Sequence, residues 1–189
     1  MTFVTNIYNV VYNVTNLTSV TITNVVGTAR GTNLLWLNHF ELLPGDASVQ
    51  TTFDSTSSGV GGGLTALVVH STTTGDIGSS GGNKEVQMAV EVPPGYDIIG
   101  VRVCYELTST NSFIDQIRLA QVQDPPAVAL VELDDATHLS QTGPVCLDSQ
   151  STLIQPELGA VLLSLRVNFG STADLIAIRG LALIVRPDA

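Results

Sequence analysis

From residue 33 onward, short apolar runs are separated about every 10–14 residues by clusters of Gly, Pro, Asp, Asn, Ser and Thr. No stretch of about a dozen residues keeps a 3.6-residue period between caps, so helices have almost no place to form. Inside the runs the period is two. In GVRVCYEL, Val101, Val103, Tyr105 and Leu107 share one face, and Arg102, Cys104 and Glu106 share the other. In VLLSLRVNF, Val161, Leu163, Leu165, Val167 and Phe169 point one way, with Ser164, Arg166 and Asn168 opposite. Such alternation marks half-buried strands. It predicts strands near 33–43, 47–53, 63–72, 84–93, 97–109, 113–123, 127–134, 143–149, 160–169 and 174–186, joined by turns such as PGD (44–46), PPG (93–95) and GSTAD (170–174). About ten short strands need two packed sheets or a barrel. The expected fold is all-β: a two-sheet antiparallel sandwich, jelly-roll-like, over residues 28–189, with an extended N-terminal arm over 1–27.

The composition removes several classes of function. Charged residues are 13% of the chain, against about 25% usually, and Thr, Ser, Asn and Gly take their place. The net charge is −10, and the seven basic residues, Lys84 among them, are scattered. Without a basic run there is nothing to neutralise phosphates, so no nucleic-acid partner is expected. The longest apolar runs are about five residues, far below a bilayer span, so no membrane insertion is expected. The N-terminus has neither a positive region nor a continuous apolar one, so no signal peptide is expected. An extracellular or virion location then implies a removed signal or release by lysis. The sequons Asn13-Val-Thr15 and Asn16-Leu-Thr18 are expected by chance in so Asn/Thr-rich a stretch.

The arm, NIYNVVYNVTNLTSVTITNVVG, carries no charge. Tyr8, Val11, Val14, Leu17 and Val20 fall every third residue, a period that suits neither helix nor flat strand but does suit chains winding about a threefold axis. The competing reading is an edge strand added to the sandwich. Two strands are apolar on both faces. In LIAIRGLALIVR this holds from Leu181 through Leu183 to Val185, and in LLWLNHFELL Leu34, Trp36, Phe40 and Leu42 lie opposite Leu35 and Leu37. Strands apolar on both faces need cover on both. A flanking loop or a neighbouring subunit supplies it, and the second reading predicts a homo-oligomer, a trimer first.

Motifs for chemistry are thin. Gly78-Ser79-Ser80-Gly81-Gly82 fits G-x-S-x-G, but that motif needs a strand, a sharp turn and a helix, and no helix follows. GVGGG (59–63) opens no helix and lacks phosphate-loop spacing. Glu132, Asp134, Asp135 and His138 form the densest acidic cluster. Calcium needs six or more oxygens, of which this cluster offers two or three; a solvated turn is the alternative. His39, His70 and His138 lack zinc-site spacing. No cofactor is expected. Trp36, His39 and Phe40 are the one aromatic concentration near a surface, either a sugar-stacking platform or ordinary packing. Alternation turns Cys104 toward Arg102 and Glu106, and Cys146 toward Asp148. If their strands are neighbours the two thiols bridge; otherwise both stay free.

In EVQMAVEVPPGYDIIGVRVCYELTSTNSFIDQIRLAQV a strand, a Pro-x-Gly-type turn, an Ile-x-x-Val-x-Val-x-Tyr strand, a polar turn and a strand with an outward Arg follow one another. VLLSLRVNFGSTADLIAIRGLALIV closes the chain with a strand pair. Over residues 84–187 this order resembles a β-sandwich domain recurrent in secreted bacterial proteins and phage tail-associated proteins. The resemblance implies a structural or binding module without catalytic residues. The expected function is a non-enzymatic structural or adhesive subunit of a virion, tail fibre or extracellular filament. A carbohydrate-binding module, with glycans or a cell surface as partner, is the alternative, and a hydrolase a distant third.

Overall fold

The protein is described by a computed structural model covering residues 31–53, 66–123 and 128–188. These residues form an antiparallel β-sandwich. The strands are β1 (Asn33–Trp36), β2 (Leu43–Pro44), β3 (Val49–Phe53), β4 (Leu67–Ser71), β5 (Glu85–Val90), β6 (Tyr96–Leu107), β7 (Phe113–Gln123), β8 (Ala129–Asp135), β9 (Val145–Asp148), β10 (Gly159–Asn168) and β11 (Ile176–Pro187). The only helical turns among the described residues are single 3-10 turns, His39–Glu41 and Pro156–Leu158.

A six-stranded sheet runs β3-β4-β11-β6-β9, with β1 also paired to β11, and a five-stranded sheet runs β2-β5-β10-β7-β8. From β4 onward the chain passes repeatedly from one sheet to the other, the jelly-roll manner of the expected fold. Alternation decides the layers. Val101, Val103, Tyr105 and Leu107 of β6 and Val161, Leu163, Leu165 and Val167 of β10 face each other in one core. Arg102, Cys104 and Glu106, like Ser164 and Arg166, are left on the outer faces.

The apolar inner face of β11 finds its cover within the chain, whereas Trp36, Phe40 and Leu43 of the run 33–43 stay exposed. Leu181 and Leu183 are fully buried and Val185 is 4% exposed, all in the central cluster. They are therefore core residues and unavailable as oligomer contacts. The outer side of β11 is small instead: Gly180 and Ala182 are buried, and Ala182 is the register partner of Trp36. The run 33–43 is not one strand. Asn38 accepts a hydrogen bond from the Phe40 N–H (3.4 Å) and donates to Glu41 (2.9 Å), starting a 3-10 turn. The chain thereby crosses from β1 in one sheet to β2 in the other, and Leu42 turns into the core. The arm residues Tyr8, Val11, Val14, Leu17 and Val20 lie outside the described residues, as do GVGGG and residues 124–127.

The Gly/Ser-rich connection from β4 to β5 is fixed by two buried charges. Lys84 is fully buried, and its Nζ donates to the carbonyls of Thr73 (2.6 Å), Thr74 (2.9 Å) and Gly75 (2.9 Å). Burial lowers its pKa, against the pull of Asp46 and Asp76. Asp46 accepts from the hydroxyl and N–H of Ser48 (2.5 and 2.8 Å), the N–H of Ser79 (2.9 Å) and the N–H of Ser80 (3.1 Å). The Ser48 hydroxyl, first among these donors, holds the Asp46 carboxyl far below the usual carboxylate range. A Cβ on Gly78 would stand 2.3 Å from Asp46 Cγ, so this glycine leaves room for the carboxylate. The G-x-S-x-G match is thus a cradle of N–H groups around a carboxylate, in which Ser80 supplies a backbone donor.

Candidate functional site

On the outer face of the six-stranded sheet the ladder sets side chains in rows. Trp36 of β1 pairs with Ala182 of β11, Ala182 with Arg102 of β6, and Arg102 with Asp148 of β9. The next row holds Gly180, Cys104 and Cys146. The indole leans over this second row. A Cβ built on Gly180 would meet Trp36 Cζ3 at 3.0 Å and Cys104 Cβ at 3.6 Å. Gly180 carries no positive φ, so its place here is a matter of room under the ring. Trp36 is 56% exposed although its floor is buried, which leaves a broad aromatic surface open to solvent.

Cys104 and Cys146 are joined in a disulfide, with Cα atoms 3.9 Å apart, and so tie β9 to β6 beside the ring. The flank is charged but neutralised. Arg102 Nε donates to Asp148 Oδ1 at 2.6 Å and Nη2 to Oδ2 at 2.8 Å, a bidentate pair of the stronger kind. The hydrogen bond from Arg102 holds the Asp148 carboxyl below its ordinary value, and the same bond raises the guanidinium. Arg179 reaches Glu106 at 2.5 Å on the same face. Two strand steps separate Trp36 from Arg102, about 10 Å. A flat apolar ring thus lies within one ligand's length of a fixed set of hydrogen-bonding groups.

His39 and Phe40 are placed elsewhere. Their rings meet at 4.3 Å, tilted by 35°, and Phe40 meets the exposed Phe53 edge-on at 5.3 Å. Burial lowers the pKa of His39. No ring pair joins Trp36 to this group among the described residues, so the aromatic trio of the sequence is divided by the 3-10 turn. Phe53, which completes the second cluster, comes from β3 and gave no local signal.

The acidic cluster is divided as well, because neighbours on a strand face opposite ways. Asp134 pairs with Arg118 on the outer face of the five-stranded sheet, at 3.0 Å. Asp135 is buried and accepts from Thr137 N–H (3.0 Å) and Gln150 N–H (2.7 Å). Burial pushes its pKa up, and these hydrogen bonds overcome it and leave the carboxyl below its ordinary value. His138 pairs with Asp115 at 2.9 Å and stacks on Phe113. The carbonyl of Glu132 receives the Thr152 hydroxyl. Glu132, Asp134, Asp135 and His138 therefore do not converge, and no group of three or more His, Cys, Asp or Glu is placed to hold a metal ion among the described residues.

No protein-family model and no curated protein matches the chain. Solved structures do. The CBM22-1 xylan-binding domain of a Paenibacillus barcinonensis xylanase is similar over 86% of this chain and 100% of its own length, at 9% identity and a TM-score of 0.52. The CBM22-1 and GH10 modules of a Clostridium thermocellum xylanase, complexed with xylohexaose, are similar over 80% of this chain and 27% of theirs, at 10% identity and a TM-score of 0.52. A bacteriophage CBA120 tailspike protein matches over 77% of this chain and 20% of its own, at 12% identity and a TM-score of 0.46. The chain thus spans about a quarter of the xylanase structure and the whole of the Paenibacillus domain. At these identities the likeness is one of fold: a β-sandwich of the kind found in carbohydrate-binding modules.

Proposed function

We propose that the protein is a non-catalytic glycan-binding module whose platform is Trp36. The observation that carries this reading is the indole, 56% exposed and resting on the Gly180 backbone in one row with the Arg102–Asp148 pair. The apolar face of a pyranose packs on an aromatic ring, while its hydroxyls need donors and acceptors at the rim. Arg102 and Asp148 offer both, held rigid by each other. The fold shared with xylan-binding domains supports the reading and suggests xylan as the first ligand to try. The disulfide agrees with an oxidising, extracellular setting. Affinity electrophoresis through gels containing xylan, cellulose or mannan tests the proposal. Retardation by a neutral polysaccharide, lost in Trp36→Ala, is expected. No retardation by any glycan, or retardation unchanged in Trp36→Ala, would overturn it.

One feature favours the structural, self-assembling reading as a second. On the outer face of the five-stranded sheet, Ala89, Leu162, Ala120 and Val131 form one apolar row, with Leu162 37% and Val131 53% exposed. This reading expects a stable homo-oligomer, a trimer first. Sedimentation as a folded 19.9 kDa monomer at micromolar concentration would remove it.

A further inference from the structure

Away from Trp36, the surface is recessed beside the Pro156–Leu158 turn. Two adjoining pockets of about 330 and 300 Å3 open there and share Val92 and Pro156. They form one groove between the end of β5, the start of β6, the Pro156–Leu158 turn and the end of β11. Its walls are held in place. Buried Gln121 donates from Nε2 to the carbonyls of Gln155 (2.7 Å) and Gly159 (3.3 Å), fixing the turn that carries Pro156. Asp188 N–H donates to the Gly95 carbonyl at 2.9 Å, fixing the opposite wall. Gly159 is obligatory: its φ is +153°, and a Cβ there would lie 2.0 Å from the Val122 carbonyl oxygen. These contacts fix the backbone of the groove's walls.

Its chemistry is lopsided. Tyr96, Pro94 and Pro156 give flat, rigid apolar surfaces, and Glu91, Glu157 and Asp188 supply carboxylates, with no basic side chain in the lining. None of the three carboxylates has an ion-pair partner among the described residues. Elsewhere among the described residues the positive charge is taken up: Arg102, Arg118, Arg166, Arg179 and Arg186 each meet a carboxylate, and Lys84 is buried on backbone carbonyls. A net charge of −10 thus leaves this groove with uncompensated acid and flat apolar walls together.

We infer that the groove binds an amino sugar: a short oligomer of glucosamine-like residues carrying free ammonium groups. The choice of a sugar rests on the glycan-binding reading above, and the choice of a cation on the charge of the groove. The ring's apolar face packs on Tyr96 and the prolines, and its ammonium meets Glu157 or Asp188 as a charge-assisted donor. An anionic glycan is rejected by three carboxylates without counter-ions, and a neutral one gains only the apolar contact.

Calorimetric titration of the full chain with β-1,4-linked glucosamine tetraose and, separately, with its fully N-acetylated counterpart tests this. The amine form is expected to bind at least about tenfold tighter, with the advantage shrinking as salt is raised. Glu157→Gln combined with Asp188→Asn removes the advantage, and Tyr96→Ala weakens both ligands. Equal affinity for the two oligomers, or no binding of either at millimolar concentration, overturns the inference. So does a tetralysine peptide that binds as tightly as the amine sugar, since the groove would then read charge alone. If Trp36 binds neutral glycans while glucosamine tetraose does not bind, the groove assignment fails and the Trp36 reading stands.

Discussion

The two outer faces of the sandwich are built from the same alternation and finished differently. On the six-stranded sheet the centre is floored with small residues, Gly180 and Ala182, so that one large ring can lie flat across it. The polar groups stand beside the ring as a closed ion pair. On the five-stranded sheet the outer face divides along the strands. The apolar row of Ala89, Leu162, Ala120 and Val131 gives way to a charged region where Ser164 donates to Glu85 (2.9 Å), Arg118 meets Asp134 and Arg166 meets Asp76. Among the described residues that second face has no exposed aromatic platform at its centre. Inward, both sheets are interchangeable packing. What a sandwich of this kind does is written where the outward residues depart from routine polar surface.

The largest expected effect separates the faces by stability. The disulfide belongs to the six-stranded sheet and closes a separation of 42 residues. By the chain-entropy model it stabilises by roughly 4 kcal/mol, with measured values often nearer 2–4. The double change Cys104→Ser with Cys146→Ser should lower the urea midpoint accordingly. The five-stranded sheet keeps its own ladder and should not melt separately. Two resolved transitions would mean that the faces are independent units, and an unchanged midpoint would mean that the bridge carries nothing.

The next effect separates them by binding. Truncating a central aromatic anchor commonly costs about 2 kcal/mol or more, roughly thirtyfold in affinity. Trp36→Ala should lose that much toward whichever neutral glycan the protein retains, and Leu162→Ser on the opposite face should lose none. A reversal, with Leu162→Ser the damaging change, would move the site to the five-stranded sheet.

Much of this division was legible in the sequence, and the reasons are local. Period-two alternation in 100–107 and 161–169 told inner from outer residues, and it placed Cys104 beside Arg102 on the outside. The run 33–43 misled because alternation cannot show where a strand stops. The Asn38 side chain ends β1 there, and the chain changes sheets before Leu42. The apolar character of Leu181, Leu183 and Val185 suggested a partner because Ala182 and Ile184 between them are apolar as well, and the sequence does not show that Trp36 of β1 lies over Gly180. The TTTGDIGSSGGN stretch shows only turn residues in the sequence. Its order comes from Lys84 and from Asp46, a residue more than thirty positions away from Ser80. The Trp36 site was half legible: the ring was, but Arg102 and Asp148 join it only through the strand order β1-β11-β6-β9.

A smaller effect follows the ion pair through pH. Asp148 sits below its ordinary value near 3.8 because Arg102 donates to it. A depressed folded-state pKa adds stability that is present above the unfolded value and lost as pH falls through the folded one. Acid should therefore weaken the flank of the Trp36 face below about pH 4, and Asp148→Asn should make the acid limb of the stability curve shallower. The same variant leaves Arg102 without its carboxylate. Affinity for a uronic-acid oligomer should then rise a few-fold over the parent, whose paired arginine resists anions. If Asp148→Asn gains nothing toward uronates, Arg102 is not at the ligand.

The smallest effect tests the floor of the platform. Gly180→Ala introduces one methyl group, 3.0 Å from Trp36 Cζ3 and 3.6 Å from Cys104 Cβ. The backbone there is not in the left-handed region, so the substitution brings no strain of its own, and alanine in a strand is better than glycine by about 0.5–1 kcal/mol. That gain offsets the cost of the close contact, and the midpoint of unfolding should hold within about 0.5 kcal/mol. The contact can be relieved only by the ring, because the methyl and the Cys104 Cβ are anchored in neighbouring strands. The indole must lift or tilt, which exposes its edge and spoils the flat face a sugar packs on. Tryptophan emission should shift to the red, and glycan affinity should fall by about threefold with stability unchanged. Such a split between binding and stability marks the ring as a surface for something else. Emission and affinity identical to the parent would show that the indole does not depend on the glycine beneath it, and the contrast between the two faces would then reduce to the exposed aromatic alone.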